Sequence, residues 1–220
     1  MRWLTALCSA ITFATGGQAA VLNSDSVRLE ISPAAKVTSL TAVGVDRELA
    51  RAEGACASAR IGGQTVYADR LSEEGNRLHL GFGDTDLKLT LTWEARGELL
   101  VVTLERVEGQ ADEITWLALQ PVAGSQPVCT RHVLRYDDVS LALITEQPEC
   151  LIRANGGNSA YLTATTFREL KLAPARVALM AAPWERLPDL IQQAEELFHI
   201  PLGIKAKRSD AARGSYLMIS

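Results

Sequence analysis

From residue 27 onward, apolar and polar side chains alternate with a period of two. Val27, Leu29 and Ile31 fall on one side of the chain, Arg28 and Glu30 on the other. Leu87, Leu89, Leu91 and Trp93 alternate in the same way with Lys88, Thr90, Thr92 and Glu94. Successive residues of a strand point to opposite faces of a sheet, so this rhythm predicts strands with one buried and one wet face. The same rule predicts strands over 37–43, 78–82, 99–107 and 114–119, and further strands over 132–136, 139–145, 160–167 and 176–182. Turn chemistry stands between them: Arg96-Gly97, Asp137-Asp138 and Asn155-Gly156-Gly157-Asn158. Some ten strands joined by short turns, with no helix between them, predict a mainly β protein folded as an antiparallel β-sandwich. A parallel sheet needs crossover helices, and this stretch offers none.

The period changes once. Leu187, Leu190, Ile191, Ala194, Leu197 and Phe198 recur at helical spacing opposite Asp189, Gln192, Gln193, Glu195 and Glu196. Pro188 suits a first helical turn and Pro201 stops the element, so one amphipathic helix is expected over 187–199, covering an outer face or edge of the sandwich. A short helical turn is expected over 209–213 with Ser209 as its N-cap. The apolar close Tyr216-Leu217-Met218-Ile219-Ser220 either pairs back into the sheet or leads into a further domain.

The first twenty residues read differently. Arg2 precedes an apolar run over 3–14, and Gly16, Gly17, Ala19 and Ala20 supply the small residues a signal peptidase requires. The expected organisation is a signal peptide over 1–20, cleaved after Ala19 or Ala20, a β-sandwich domain over 21–182, and a helix with a C-terminal strand over 183–220. The expected location is secreted or periplasmic. Leu7 stands before Cys8 where lipoprotein processing wants a small residue, so no lipid anchor is expected. No second apolar run approaches membrane-spanning length. The 220 residues carry a net charge of −4, and the basic cluster Lys205, Lys207 and Arg208 is short, which argues against nucleic acid as a partner.

Removing the leader would leave Cys56, Cys129 and Cys150, an odd number, which permits one bridge at most. Cys129 and Cys150 flank a hairpin and either pair or act as buried thiols. No cysteine spacing resembles a zinc site, and no cofactor is expected. His79, His132 and His199 each have a structural place: His79 on the polar side of a strand, His199 at a helix end where its charge suits the dipole. The adjacent carboxylates Glu73-Glu74, Asp112-Glu113, Asp137-Asp138 and Glu195-Glu196 read as turn or solvated positions, not as a catalytic pair across a cleft. Asp84 and Asp86 stand near a glycine turn without further distinction. There is no G-x-S-x-G elbow, and Gly62-Gly63 and Gly156-Gly157 open no helix that would cradle phosphate. Trp93 and Trp116 alternate with apolar neighbours and are expected in the core, which leaves Trp184, just before the helix, as the candidate glycan contact.

The succession Val27-Arg28-Leu29-Glu30-Ile31, Val37-Thr38-Ser39-Leu40 with a Gly44 turn, Asn76-Arg77-Leu78-His79-Leu80, and Trp116-Leu117-Ala118-Leu119-Gln120-Pro121-Val122 resembles the galactose-mutarotase-like β-supersandwich at the N-terminus of secreted bacterial glycoside hydrolases. Val177-Ala178-Leu179-Met180-Ala181-Ala182-Pro183 with the amphipathic helix resembles the segment that joins such a sandwich to its catalytic barrel. Arg208-Ser209 and Arg213-Gly214-Ser215-Tyr216-Leu217 resemble that region's last stretch. The resemblance implies a non-catalytic sandwich module of a carbohydrate-active protein, supporting a catalytic domain C-terminal to this chain or binding glycan weakly. No catalytic residue of the family maps onto His79, His132 or a particular Glu. The alternatives are a stand-alone mutarotase-like sugar enzyme and a structural envelope or interaction protein.

Overall fold

The computed structural model describes residues 18–51, 54–128 and 132–200. The first third holds β1 (Ala20–Asn23), β2 (Val27–Ile31), β3 (Lys36–Ala42), β4 (Arg47–Glu48), β5 (Gly54–Ala55), β6 (Ser58–Ile61) and β7 (Gln64–Tyr67). The middle holds β8 (Arg70–Glu74), β9 (Arg77–Gly81), β10 (Lys88–Arg96), β11 (Leu99–Glu108), β12 (Glu113–Leu119) and β13 (Gln126–Val128). The last part holds β14 (Val133–Arg135), β15 (Ser140–Thr145), β16 (Leu151–Asn155), β17 (Tyr161–Phe167), β18 (Ala175–Ala182) and the helix α1 (Leu187–Leu197). The ten strands expected from alternation are all present. The other eight are short or largely polar, as in the Gln64–Tyr67 strand, and carry too little periodic signal to be read.

Three antiparallel sheets result. One runs β1-β2-β3-β4 with β5 beside β3, a second runs β13-β14-β15-β18-β11-β10-β9-β8, and a third runs β16-β17-β12-β6-β7. The alternation sorts side chains between two apolar clusters. Leu100, Val102, Leu104, Leu141, Leu143, Val177 and Leu179 face a main core shared with the two five-stranded sheets. Their neighbours Leu99, Val101, Ala142, Ala178 and Met180 face the other way and join Leu187, Leu190, Ala194 and Phe198 of α1. Strands buried on both faces lose alternation and become continuously apolar, which explains Leu99-Leu100-Val101-Val102 and Val177-Ala178-Leu179-Met180. The outer face of the eight-stranded sheet is therefore what α1 covers.

The helix ends at Leu197, before the residue its spacing suggests. His199 turns left-handed at φ 52°, and the N–H groups of His199 and Ile200 donate to the carbonyls of Glu196 (3.2 Å) and Glu195 (2.9 Å). This is a Schellman closure with histidine where glycine is usual. Residues 1–17 of the expected signal peptide, the expected turn over 209–213, the segment Tyr216 to Ser220 and Cys129 lie outside the described residues. No helix among the described residues is long and apolar enough to cross a membrane.

The β3–β4 corner is held by one carboxylate. Glu48 accepts from the backbone N–H groups of Leu40 (2.8 Å) and Ala50 (2.6 Å) and from the hydroxyls of Ser39 (2.5 Å) and Thr41 (3.4 Å). Partial burial pulls its pKa upward, but these hydrogen bonds outweigh burial and hold it below the ordinary value. A depressed carboxylate pKa adds stability above the unfolded value, about 4.3, that is lost as pH falls through the folded value. Glu48→Gln is accordingly expected to lower stability by about 1 kcal/mol at pH 7, a figure kept small because the side chain is exposed. The difference between variant and wild type should shrink toward pH 3 in urea melts.

Candidate functional site

The outer face of the five-stranded sheet β16-β17-β12-β6-β7 carries a shallow pocket of about 270 Å3. Strand pairing aligns Leu151, Thr165, Thr115, Ser58 and Tyr67 in one row across five strands. A second row runs Arg153, Thr163 and Ala118. The floor is thus made of small side chains, Ser58, Thr115, Ala118, Thr163 and Thr165, while Tyr67, Gln120, Arg153 and Tyr161 rise around it. Short groups in the middle and long ones at the margin make a flat sheet concave.

A β-bulge sets this arrangement. The register of β12 against β17 shifts between Thr115 and Leu117. Trp116 and Leu117 both turn into the core, while Thr115 and Ala118 stay on the outer face. Gln120 lies over Gly54, where an added Cβ would come within 2.6 Å of its amide carbon, so the side chain reaches the pocket only because that residue is glycine.

The floor hydroxyls are partly paired: Thr115 Oγ1 and Thr165 Oγ1 are 2.9 Å apart. Tyr67 and Tyr161 are the most exposed aromatic side chains among the described residues, at 62% and 38%. Arg153 has a single ion pair among the described residues, with Glu113 at 4.0 Å. Glu113 in turn stands directly across from Arg60 of β6. The combination offers hydroxyls that both donate and accept, two apolar ring faces and one cationic fork of donors.

A second depression of about 280 Å3, on the outer face of the eight-stranded sheet, includes Arg77, Thr92, Glu94, Thr103 and Glu105. Its charges already satisfy one another. Arg77 pairs with Glu105 at 3.4 Å, and Glu94 pairs with Arg96 at 2.8 Å and with Arg176 at 3.7 Å. The first pocket is therefore the better candidate.

No protein-family model and no curated protein matches this chain.

The candidate residues of the sequence do not converge on that pocket. Trp184 is half-buried against the α1 cluster, with the Arg135 guanidinium 4.8 Å above its ring, on the opposite side of the sandwich. His79 sits on β9, its Nδ1 3.3 Å from Thr90 Oγ1 and its Nε2 4.0 Å from Glu74. His132 precedes β14, its carbonyl accepts from the Leu143 N–H at 3.1 Å, and burial lowers its imidazole pKa. His199 closes α1. No three His, Cys, Asp or Glu side chains among the described residues gather to hold a metal. Asp84 and Asp86 lie in the turn between β9 and β10.

Trp116 is fully buried and Trp93 packs partly buried against the main core, as alternation implies. Of the acidic pairs, Glu73-Glu74 ends β8 and Glu113 begins β12, so neither pair stands wholly in a turn; partial burial raises the Glu73 pKa against the opposing pull of the Trp93 indole. Cys56 and Cys150 are buried free thiols. Burial pushes Cys56 up to about 12 and raises Cys150 as well, which keeps both protonated and unreactive.

Tyr67, Arg153, Tyr161 and the threonines carry no motif that marks them in the sequence. The available signal is the polar side of the 160–167 strand: Tyr161, Thr163 and Thr165 alternate with Leu162 and Ala164, and no lysine or glutamate interrupts them.

Proposed function

We propose that this chain is a non-catalytic β-sandwich module of a secreted carbohydrate-active protein, and that it binds glycan weakly through the pocket on β6, β7, β12, β16 and β17. The observation that carries the reading is the hydroxyl-lined floor between Tyr67 and Tyr161. A sugar ring presents a polar hydroxyl edge and an apolar C–H face. The floor supplies partners for the first and the tyrosine rings supply a surface for the second. The pocket is shallow, so much of a bound sugar stays in water and the affinity is low. The mainly β fold, with one α-helix among the described residues, is compatible with the supersandwich resemblance and with a module placed beside a catalytic domain.

The test is a titration of the processed chain with soluble oligosaccharides, followed by amide chemical shifts. Binding is expected in the range of about 0.1–10 mM, with shifts confined to the five strands of the pocket. Tyr67→Ala and Tyr161→Ala should each weaken binding by about 1 kcal/mol, roughly fivefold. Trp184→Ala should leave it unchanged. Loss of binding in the Trp184 variant alone, or shifts elsewhere, would refute the assignment.

Export makes a separate prediction. Ala20 is the first residue of β1, fully buried and paired with Ile31. Cleavage after Ala20 would remove it from the strand, so processing is expected after Ala19. The intact mass of the exported protein distinguishes the two.

A further inference from the structure

We infer that the pocket selects glycans that carry a carboxylate, received by Arg153. The inference rests on the glycan-binding reading and narrows it to a substrate class, uronate-bearing chains. Arg153 is the one charged residue lining the pocket. It projects from β16 beside Thr163, and half of its side chain is exposed. Its only ion pair among the described residues, to Glu113, stretches to 4.0 Å, beyond hydrogen-bond length.

Glu113 is also shared. Its cross-strand partner on β6 is Arg60, so two arginines and one carboxylate occupy neighbouring positions on this sheet. In a chain of net charge −4, the one charged group that lines the pocket is a cation. A guanidinium matches a carboxylate through two parallel N–H···O bonds, which a neutral hydroxymethyl group cannot reproduce. A uronate ring stacked on Tyr161 and lying over Thr163 would place its carboxylate toward the fork that Glu113 leaves largely unused.

The experiment compares oligogalacturonate, oligoglucuronate, oligomannuronate and oligoguluronate, each beside its methyl ester, which keeps the stereochemistry and removes the charge. At low salt, at least one acid is expected to bind about tenfold tighter than its ester, the preference shrinking near 0.5 M salt as charges are screened. Arg153→Gln should bring acid and ester to parity, the acid losing about tenfold more affinity than the ester. Arg153→Lys should keep only part of the preference. Glu113→Gln should enlarge it, because Arg153 is then uncommitted. Unchanged thermal midpoints would establish that these exposed-site variants are folded. Acid and ester binding equally, or a preference that survives Arg153→Gln, overturns the inference and leaves the glycan reading standing. If neither acids nor esters nor neutral oligosaccharides shift the pocket amides, both fall together.

Discussion

Trp116→Ala is expected to destabilise the fold by about 3–5 kcal/mol, enough to unfold a domain of ordinary stability near body temperature. Trp116 is wholly inaccessible and is the largest of the fully buried side chains. It occupies the bulge of β12, where two consecutive residues enter the core against the run of the strand. Truncation leaves a void that Leu117 cannot fill, because its own position is fixed by pairing with Ala164. The only polar group the indole meets among the described residues is the weakly bonding Cys150 thiol, so volume is the main contribution of the residue. Trp116→Phe, which keeps most of the volume and removes the N–H, should therefore cost only about 1 kcal/mol. Urea melts of the two variants give the comparison, and equal losses would mean that something other than packing volume holds this site.

Trp116 also marks where alternation is readable and where it stops. Strict alternation places Ile114 and Trp116 inside, and Leu117 and Leu119 inside as well, which no straight strand allows. The bulge resolves the conflict by shifting phase one residue after Thr115. Burial on both faces similarly erases the alternation of β11 and β18, yet their lengths and apolar content still mark them as strands. The helix is legible because its stripe repeats over three turns. Its true end is not, because a left-handed His199 follows no composition rule.

The candidate site is harder to read for a physical reason. Apolar positions are constrained by burial and leave a periodic trace, whereas any polar residue satisfies the wet side of a strand. Ser58, Thr115, Arg153 and Thr163 become one surface only through the register of successive strand pairs, which joins residues up to 105 positions apart in the chain. A tryptophan ahead of a helix looks exposed in sequence, which is why Trp184 stands out there. Packing α1 onto the sheet brings Arg135 across its ring instead.

Gly156→Ala is the second substitution with a large expected effect, about 2–4 kcal/mol from steric overlap and a lost bridge together. The hairpin between β16 and β17 closes against the start of β13, where the Gly157 N–H donates to the Ser125 carbonyl at 2.8 Å. A Cβ on Gly156 would stand 2.4 Å from that carbonyl oxygen and 2.7 Å from Pro127 Cδ. Neither is the free end of a flexible side chain, so the hairpin must move off β13. The adjacent Gly157 separates this clash from backbone strain. It adopts a left-handed φ of 74°, and a Cβ added there would meet nothing within 4 Å. Gly157→Ala should cost only the conformational term, about 1–2 kcal/mol, and Gly157→Asn less. Because this hairpin carries Tyr161 and ends β16 two residues after Arg153, a displaced Gly156→Ala hairpin should also weaken glycan binding, whereas Gly157→Asn should not. A loss at Gly156 no larger than that at Gly157 would show that close contact with Ser125 does not constrain this hairpin.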